Sequence, residues 1–168
     1  DPSYAEMTIK FVEHSMWIAS AMDNLGAGAG MWDEEDGFFY DVLRLPDGRA
    51  QRLKVRSMVG LLPLCAATTL EAEQCDRFPE IQQRFTWFLE ARPELAASIH
   101  DPRRLGVAGR RLLSIMNEGR LRRVLAKMLD EQEFLSPYGL RSVSRYHADH
   151  PYVISAGGQV SQVAYLPA

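Results

Sequence analysis

Between Trp32 and Asp41 the chain reads Trp-Asp-Glu-Glu-Asp-Gly-Phe-Phe-Tyr-Asp, placing five carboxylates, one indole, one phenol and two phenyl rings within ten residues. Carboxylates accept charge-assisted hydrogen bonds and aromatic faces stack on flat C–H surfaces, so this mixture suits a carbohydrate. Two carboxyl groups whose pKa values are driven apart can also serve as general acid and base. Asp33, Glu35 and Gly37 loosely match a calcium loop, but the twelve-residue EF-hand pattern is absent. The plainer reading is a solvated acidic turn that leads into a packed aromatic strand. Asp33 and Asp36, three positions apart in one short turn, can hardly face each other across a sugar, which ranks a complete small enzyme built on them last.

Three further groupings carry reactive residue types. Ser136-Pro137-Tyr138-Gly139-Leu140-Arg141-Ser142 combines hydroxyl, phenol and guanidinium groups in one loop and could form a ligand wall. His147-Ala148-Asp149-His150 gathers metal-type side chains, but no third, distant histidine pattern accompanies it, so ordinary loop polarity is the better reading and no metal is expected. From Arg103 to Lys127 eight basic residues face one acid, Glu118. That run could present a face to an acidic partner or nucleic acid. It contains no aromatic side chain for base stacking, however, and the basic residues within 118–133 lie opposite an apolar stripe, as on any solvated helix. Cys65 and Cys75, with nine residues between them, form neither a CxxC nor half a zinc knuckle; two buried thiols are expected, a single bridge stays open, and a disulfide framework is excluded.

Elements must position these groups. Met7, Phe11, Ile18, Met22 and Leu25 recur at helical spacing, widened by Val12, Trp17 and Ala21, and predict a helix from Tyr4 to about Leu25 that touches more than one neighbour. The run Gly26-Ala27-Gly28-Ala29-Gly30 follows this helix and precedes a strand-like segment. That order is the reverse of a phosphate loop, so it reads as a helix C-cap and flexible joint. Phe38 to Leu45, Pro46-Asp47-Gly48 and Ala50 to Val55 predict a β-hairpin spanning roughly 38–55. Helices are expected over Met58–Thr69, in a short piece capped by Thr69, over Phe78–Ala91, near Pro93–His100 and over Glu118–Glu133, with the last 35 residues loop-like. The class is therefore mainly α with one small inserted hairpin.

The 168 residues are 46% hydrophobic, enough for a core, with net charge −3 from 19 Lys and Arg against 22 Asp and Glu. This balance gives no global attraction to nucleic acid or an anionic membrane. The longest near-continuous apolar stretch, Met58 to Ala67, is too short to cross a bilayer, so no membrane partner is expected. The chain starts at Asp1 rather than Met, which reads as processing, trimming or excision from something longer; a cytoplasmic setting is favoured.

Taken in order, the Trp32–Asp41 segment, Arg56-Ser57 with Gly60-Leu61-Leu62-Pro63-Leu64, and Ser136–Ser142 resemble glycoside hydrolase family 63, the processing α-glucosidase I family, with the mannosylglycerate hydrolases nearby. The likeness runs from Tyr4 through Ala168. It implies that residues 1–168 are one segment of an (α/α)6 toroid of helical hairpins, from an inverting, metal-free α-glycosidase. Inversion needs two carboxyl groups about 6.5–9.5 Å apart. The family's acid lies in a motif upstream of the first segment and its base beyond a Gly- and Trp-rich stretch that would follow Ala168. Neither motif is present, so no catalytic residue and no cofactor carries over. What carries over is part of a sugar-binding wall: Trp32, Asp33, Asp36 and Tyr40, then Tyr138, Gly139, Arg141 and Ser142. The expected partners are an oligosaccharide or small glycoside, and the remainder of a parent domain or a second copy. About half of a ring would leave apolar faces uncovered. The rival expectation is a stand-alone helical module that binds an acidic partner or nucleic acid through 103–127.

Overall fold

The computed structural model describes residues 2–24, 30–73, 77–93, 99–101, 103–156 and 159–167. All of the glycine run but Gly30, Cys75, the part of the short helix expected after Thr69 that falls on 74–76, most of the Pro93–His100 piece and Gly157-Gly158 lie outside them. The chain divides into two units: Asp1–Asn24 with Pro63–Gly119, and Leu25–Leu62 with Arg120–Ala168.

In the first unit, helix α1 (Pro2–Asp23) buries Met16 and Ala19, with Val12 beside them. They pack against Phe85, Phe88 and Leu89 of a second helix (Pro79–Ala91), together with Ile99 and Ile115. Pro79 at its first turn and Glu80 beside it suit a helix start, where a missing N–H costs nothing and a negative charge meets the helix dipole. The opposite face of α1 carries Tyr4, Met7, Phe11 and Ile18 in the open. A strand (Ala67–Leu70) pairs antiparallel with a later one (Arg111–Ser114) in the register Ala67↔Ser114 to Leu70↔Arg111.

The second unit is built from short ribbons together with most of one helix. Strands β1 (Trp32–Asp33) and β2 (Phe38–Phe39) pair across a tight turn, and β3 (Asp41–Arg44) pairs with β4 (Ala50–Leu53). Gly48, at φ +84°, closes the Pro46-Asp47-Gly48 turn between the latter two. Numbered in chain order, the 67–70 strand is β5, the helix over Pro79–Ala91 is α2, the 111–114 strand is β6, and helix α3 covers Glu118–Met128. Strand β7 (Leu135–Ser136) pairs with β8 (Gly139–Leu140), and β9 (Tyr152–Ala156) with β10 (Gln159–Val163). Phe38 and Phe134, both fully buried, stack with ring centroids 5.6 Å apart and form the centre of this unit.

The mainly α expectation and the partial (α/α)6 toroid are overturned. The structure is about 42% helical and 25% strand, with five separate two-stranded antiparallel sheets among the described residues. Two causes are visible. Over Met58–Ala66 the apolar run winds as a 3-10 helix rather than an α-helix, because Pro63 lacks an N–H and Gly60 has weak helix propensity. Threonine-rich and Val/Ile-rich runs (Thr68-Thr69, Val153-Ile154, Val160) go into strands, where branched side chains keep their preferred rotamers. α3 also stops at Met128, short of the expected Glu133.

Candidate functional site

The carboxylates of the Trp32–Asp41 segment converge with cations from β4 and the chain after it. Asp33 is 5% exposed; its Oδ1 accepts the Asp36 backbone N–H at 2.9 Å. Its Oδ2 lies 3.3 Å from Arg52 and 3.0 Å from Lys54. Asp36 takes Lys54 at 3.0 Å and the Tyr40 hydroxyl at 3.1 Å on Oδ2, and Arg56 at 3.1 Å on Oδ1. The second Arg56 nitrogen reaches Glu133 at 2.6 Å. Glu133 also meets Lys127 at 3.2 Å and accepts a hydrogen bond from the Ser144 hydroxyl. Alternation along 52–56 delivers this arrangement: Arg52, Lys54 and Arg56 point to one side, so three cations line up against two aspartates.

Protonation follows from these contacts. Burial pushes the Asp33 carboxyl up, but the Asp36 N–H and Lys54 outweigh it and hold the pKa below the usual 3.8. At Asp36 burial is likewise outweighed, by Lys54, Tyr40 and Arg56, so that carboxyl is also lowered. Burial raises the Tyr40 phenol, and the Asp33 and Asp36 carboxylates raise Lys54. The cluster is therefore a set of fixed charges at neutral pH, each carboxylate met by at least two donors.

The backbone around it is pinned too. The Arg56 N–H donates to Nε2 of buried His147 at 2.8 Å, while His147 Nδ1 lies 2.7 Å from the His150 carbonyl. A carbonyl only accepts, so Nδ1 carries the proton and the ring is the neutral Nδ1–H tautomer. The Arg56 guanidinium lies 3.8 Å from the Tyr146 ring centroid, and Tyr146 stacks on His150 at 4.3 Å. Ser144 caps the 3-10 turn at Arg145–Ala148 by accepting the Tyr146 N–H. His147 and His150 are thus engaged in structural hydrogen bonds. Among the described residues no cluster of three or more His, Cys, Asp or Glu is placed to hold a metal.

Trp32 is buried. Its indole N–H donates to Glu34 at 2.6 Å, Phe39 meets it edge-on at 4.9 Å, and the Arg120 and Arg123 guanidinium groups lie 5.0 and 5.5 Å from its centroid. Arg123 also donates to the Glu34 and Glu35 carbonyls at 2.6 and 2.9 Å. Gly37, at φ +63°, leaves room for that side chain, since a Cβ would run into its guanidinium.

The second expected motif is placed differently. Tyr138 is 99% exposed at the tip of the β7–β8 hairpin, with Gly139 (φ +123°) and the Ser142 side chain also in the open. Arg141 instead fixes the hairpin base. Its guanidinium donates to the Glu131 carbonyl at 3.0 Å, to the Leu135 carbonyl, and to the Tyr165 hydroxyl at 3.3 Å, while its backbone N–H reaches the Phe134 carbonyl at 2.8 Å. The Ser142 carbonyl takes the Met58 N–H at 2.7 Å. Trp32, Asp33, Asp36 and Tyr40 are therefore brought together in a buried network, whereas Tyr138, Gly139 and Ser142 face solvent.

Sequence reasoning missed Arg52, Lys54, Arg56, Lys127, Glu133 and His147 as members of this network. The signal for the first three was the alternation after Ala50. For Lys127, Glu133 and His147 no local signal existed. The basic run over 103–127 is divided between the two units, and several of its members are paired: Arg103 with Asp101 at 2.8 Å, Arg104 with Glu118 at 2.8 Å, Arg110 with Glu71 at 2.9 Å, and Arg123 with Glu34 at 2.8 Å. Cys65 carries a free, exposed thiol, which corrects its expected burial. The 3-10 turn ending at Ala66 leaves it at the surface. Among the described residues no helix is long and apolar enough to cross a membrane.

Comparison with known proteins adds one relative. The chain is 38% identical over 180 residues to the uncharacterized protein YMR196W of Saccharomyces cerevisiae, with 99% of this chain covered. It spans 16% of that relative's length. No family model and no solved structure matches the chain.

Proposed function

We propose that this chain contributes a sugar-binding surface to an inverting α-glycosidase of the family-63 kind, with proton transfer handled by groups outside it. The observation that carries the reading is the β7–β8 hairpin: an aromatic side chain almost wholly in solvent, on a tip whose base is fastened by the Arg141 fan. An exposed tyrosine beside a glycine and a serine offers a stacking face, a close backbone approach and a hydroxyl partner, which together suit a sugar ring. Trp32, Asp33, Asp36 and Tyr40 hold the β1–β2 turn of the same unit in shape.

The carboxylates support a structural role rather than hydrolysis. Asp33 and Asp36 are each committed to cations and held below the usual carboxylate range, so neither is poised as an acid near neutral pH. The relative's much greater length is compatible with acid and base residing elsewhere in a longer polypeptide.

Titrating the isotope-labelled chain with maltose and methyl α-glucoside tests the reading. The Gly139 and Ser142 amides should shift saturably, and Tyr138→Ala should abolish the shift without lowering the melting temperature. Absence of saturable shifts with either sugar, or unaltered binding by Tyr138→Ala, refutes it.

A further inference from the structure

The first unit holds a cavity of about 260 Å³ that the sugar reading does not use. Its floor is the unit's own core, with Val12 and Met16 of α1 and Phe85 of α2. β5 and β6 supply further walls through Thr68 and Leu113. Two features define what fits. Among the described residues the lining contains no Asp, Glu, Lys or Arg, so none of these repays the desolvation of a charged ligand. Against the apolar wall stand a few hydrogen-bonding groups, chiefly Ser15, Thr68, His100 and Ser114.

These groups are unevenly occupied. The Ser15 hydroxyl donates to the Phe11 carbonyl at 2.9 Å. Ser114 Oγ accepts the Met116 N–H at 3.1 Å, which leaves its proton to donate. Among the described residues, the Thr68 hydroxyl and the His100 ring enter no hydrogen bond. An apolar body with one polar end matches this lining, whereas a sugar, polar all round, would leave most of its hydroxyls unpaired. Size narrows the class again: an apolar cavity of about 150 Å³ already accepts benzene.

We infer that this cavity binds a small uncharged aromatic or branched aliphatic compound bearing a single hydroxyl, with its ring against Met16, Phe85 and Leu113 and its oxygen at Thr68 and His100. The inference is independent of the sugar-binding proposal, which concerns the other unit.

The probe is p-cresol, titrated into the intact chain carrying ¹³C-methyl methionine, alongside iodoacetamide labelling of Cys65 at the cavity wall mapped by peptide mass. The Met16 methyl should shift saturably while Met31 and Met58 stay still, and Cys65 alkylation should slow several-fold. Ser15→Phe and Thr68→Phe, each filling the cavity from a solvent-facing position, should weaken binding at least tenfold while keeping the parent spectrum elsewhere. No saturation, equal movement of all methionine methyls, or unchanged affinity in a variant that keeps the parent spectrum overturns the inference. Glucose in place of p-cresol should leave Met16 unmoved; a saturable Met16 shift with glucose also overturns it.

Discussion

Arg56→Met is the sharpest test of the buried ion network. The Arg56 side chain is 11% exposed and spans two carboxylates, Asp36 at 3.1 Å and Glu133 at 2.6 Å, while lying 3.8 Å from the Tyr146 ring centroid. Removing one partner of a buried pair costs about 3–5 kcal/mol, because the remaining charge is left unsatisfied. Here each carboxylate keeps other donors: Lys54 and Tyr40 at Asp36, Lys127 and Ser144 at Glu133. That places the electrostatic loss at the lower end, about 3 kcal/mol, with the lost stacking adding about 1 kcal/mol. Urea unfolding followed by fluorescence and circular dichroism should therefore give a loss of about 3–4 kcal/mol with an unchanged m-value. Arg56→Lys keeps a charge but cannot fork between two acids, and should recover less than half of the loss. A double-mutant cycle with Glu133→Gln should show coupling of at least about 1 kcal/mol. A loss below about 1 kcal/mol, or no coupling to Glu133, would mean that the network decorates the fold without holding it.

Gly37→Ala combines a left-handed backbone with a collision against Arg123, whereas Gly48→Ala has the same backbone problem and open space around it. The first should cost at least about 2 kcal/mol and the second about 1 kcal/mol in urea unfolding, so equal losses would argue against the Arg123 latch. His147→Phe keeps an aromatic ring but strands the Arg56 N–H and the His150 carbonyl, and a loss of at least about 1–3 kcal/mol is expected by thermal melting. Asp33 and Asp36 have folded pKa values below the unfolded value of 3.8, so the unfolded chain takes up protons first as pH falls. Their contribution is whole above about pH 5 and is lost as pH falls through the unfolded and then the folded values. Melting temperature against pH should fall over that window, and Lys54→Met should flatten the fall; an unchanged slope would refute the assignment.

Legibility in the sequence tracked locality. α1 and α2 showed themselves because 3.6-residue periodicity is a property of adjacent residues, and the Pro46-Asp47-Gly48 turn announced the ladder of β3 and β4. The pairing of β5 with β6 joins residues more than forty positions apart, so nothing near Thr68 or Leu113 could signal it. The ribbon of β9 and β10 was readable, since two alternating runs flank Gly157-Gly158, but the density of Gly and Pro after Pro137 drew the reading toward loop. The site divides the same way. Composition singled out Asp33, Asp36 and Tyr40, but whether a carboxylate is spare or committed depends on which cations the fold brings, and Glu133 lies 77 positions from Arg56.

That distinction bears on what the acidic segment is for. A carboxylate can donate a proton near neutral pH only when its surroundings favour the neutral form, through burial without a counterion or a like charge at close range. Asp33 and Asp36 have the burial, and share Lys54 within 3.0 Å of each. The shared cation removes the repulsion that would otherwise split their pKa values, and both shifts run downward, away from acid catalysis. Converting Lys54 to Met should do more than destabilise. With Arg52 and Arg56 left at opposite ends, the two carboxylates should repel across the vacated position, and one should titrate above its parent value. Carboxyl ¹³C shifts measured from pH 2 to 7 in the parent and in Lys54→Met would show this directly. If both curves stay where they are, Lys54 does not govern the pair, and the case for a purely structural role of this segment fails with it.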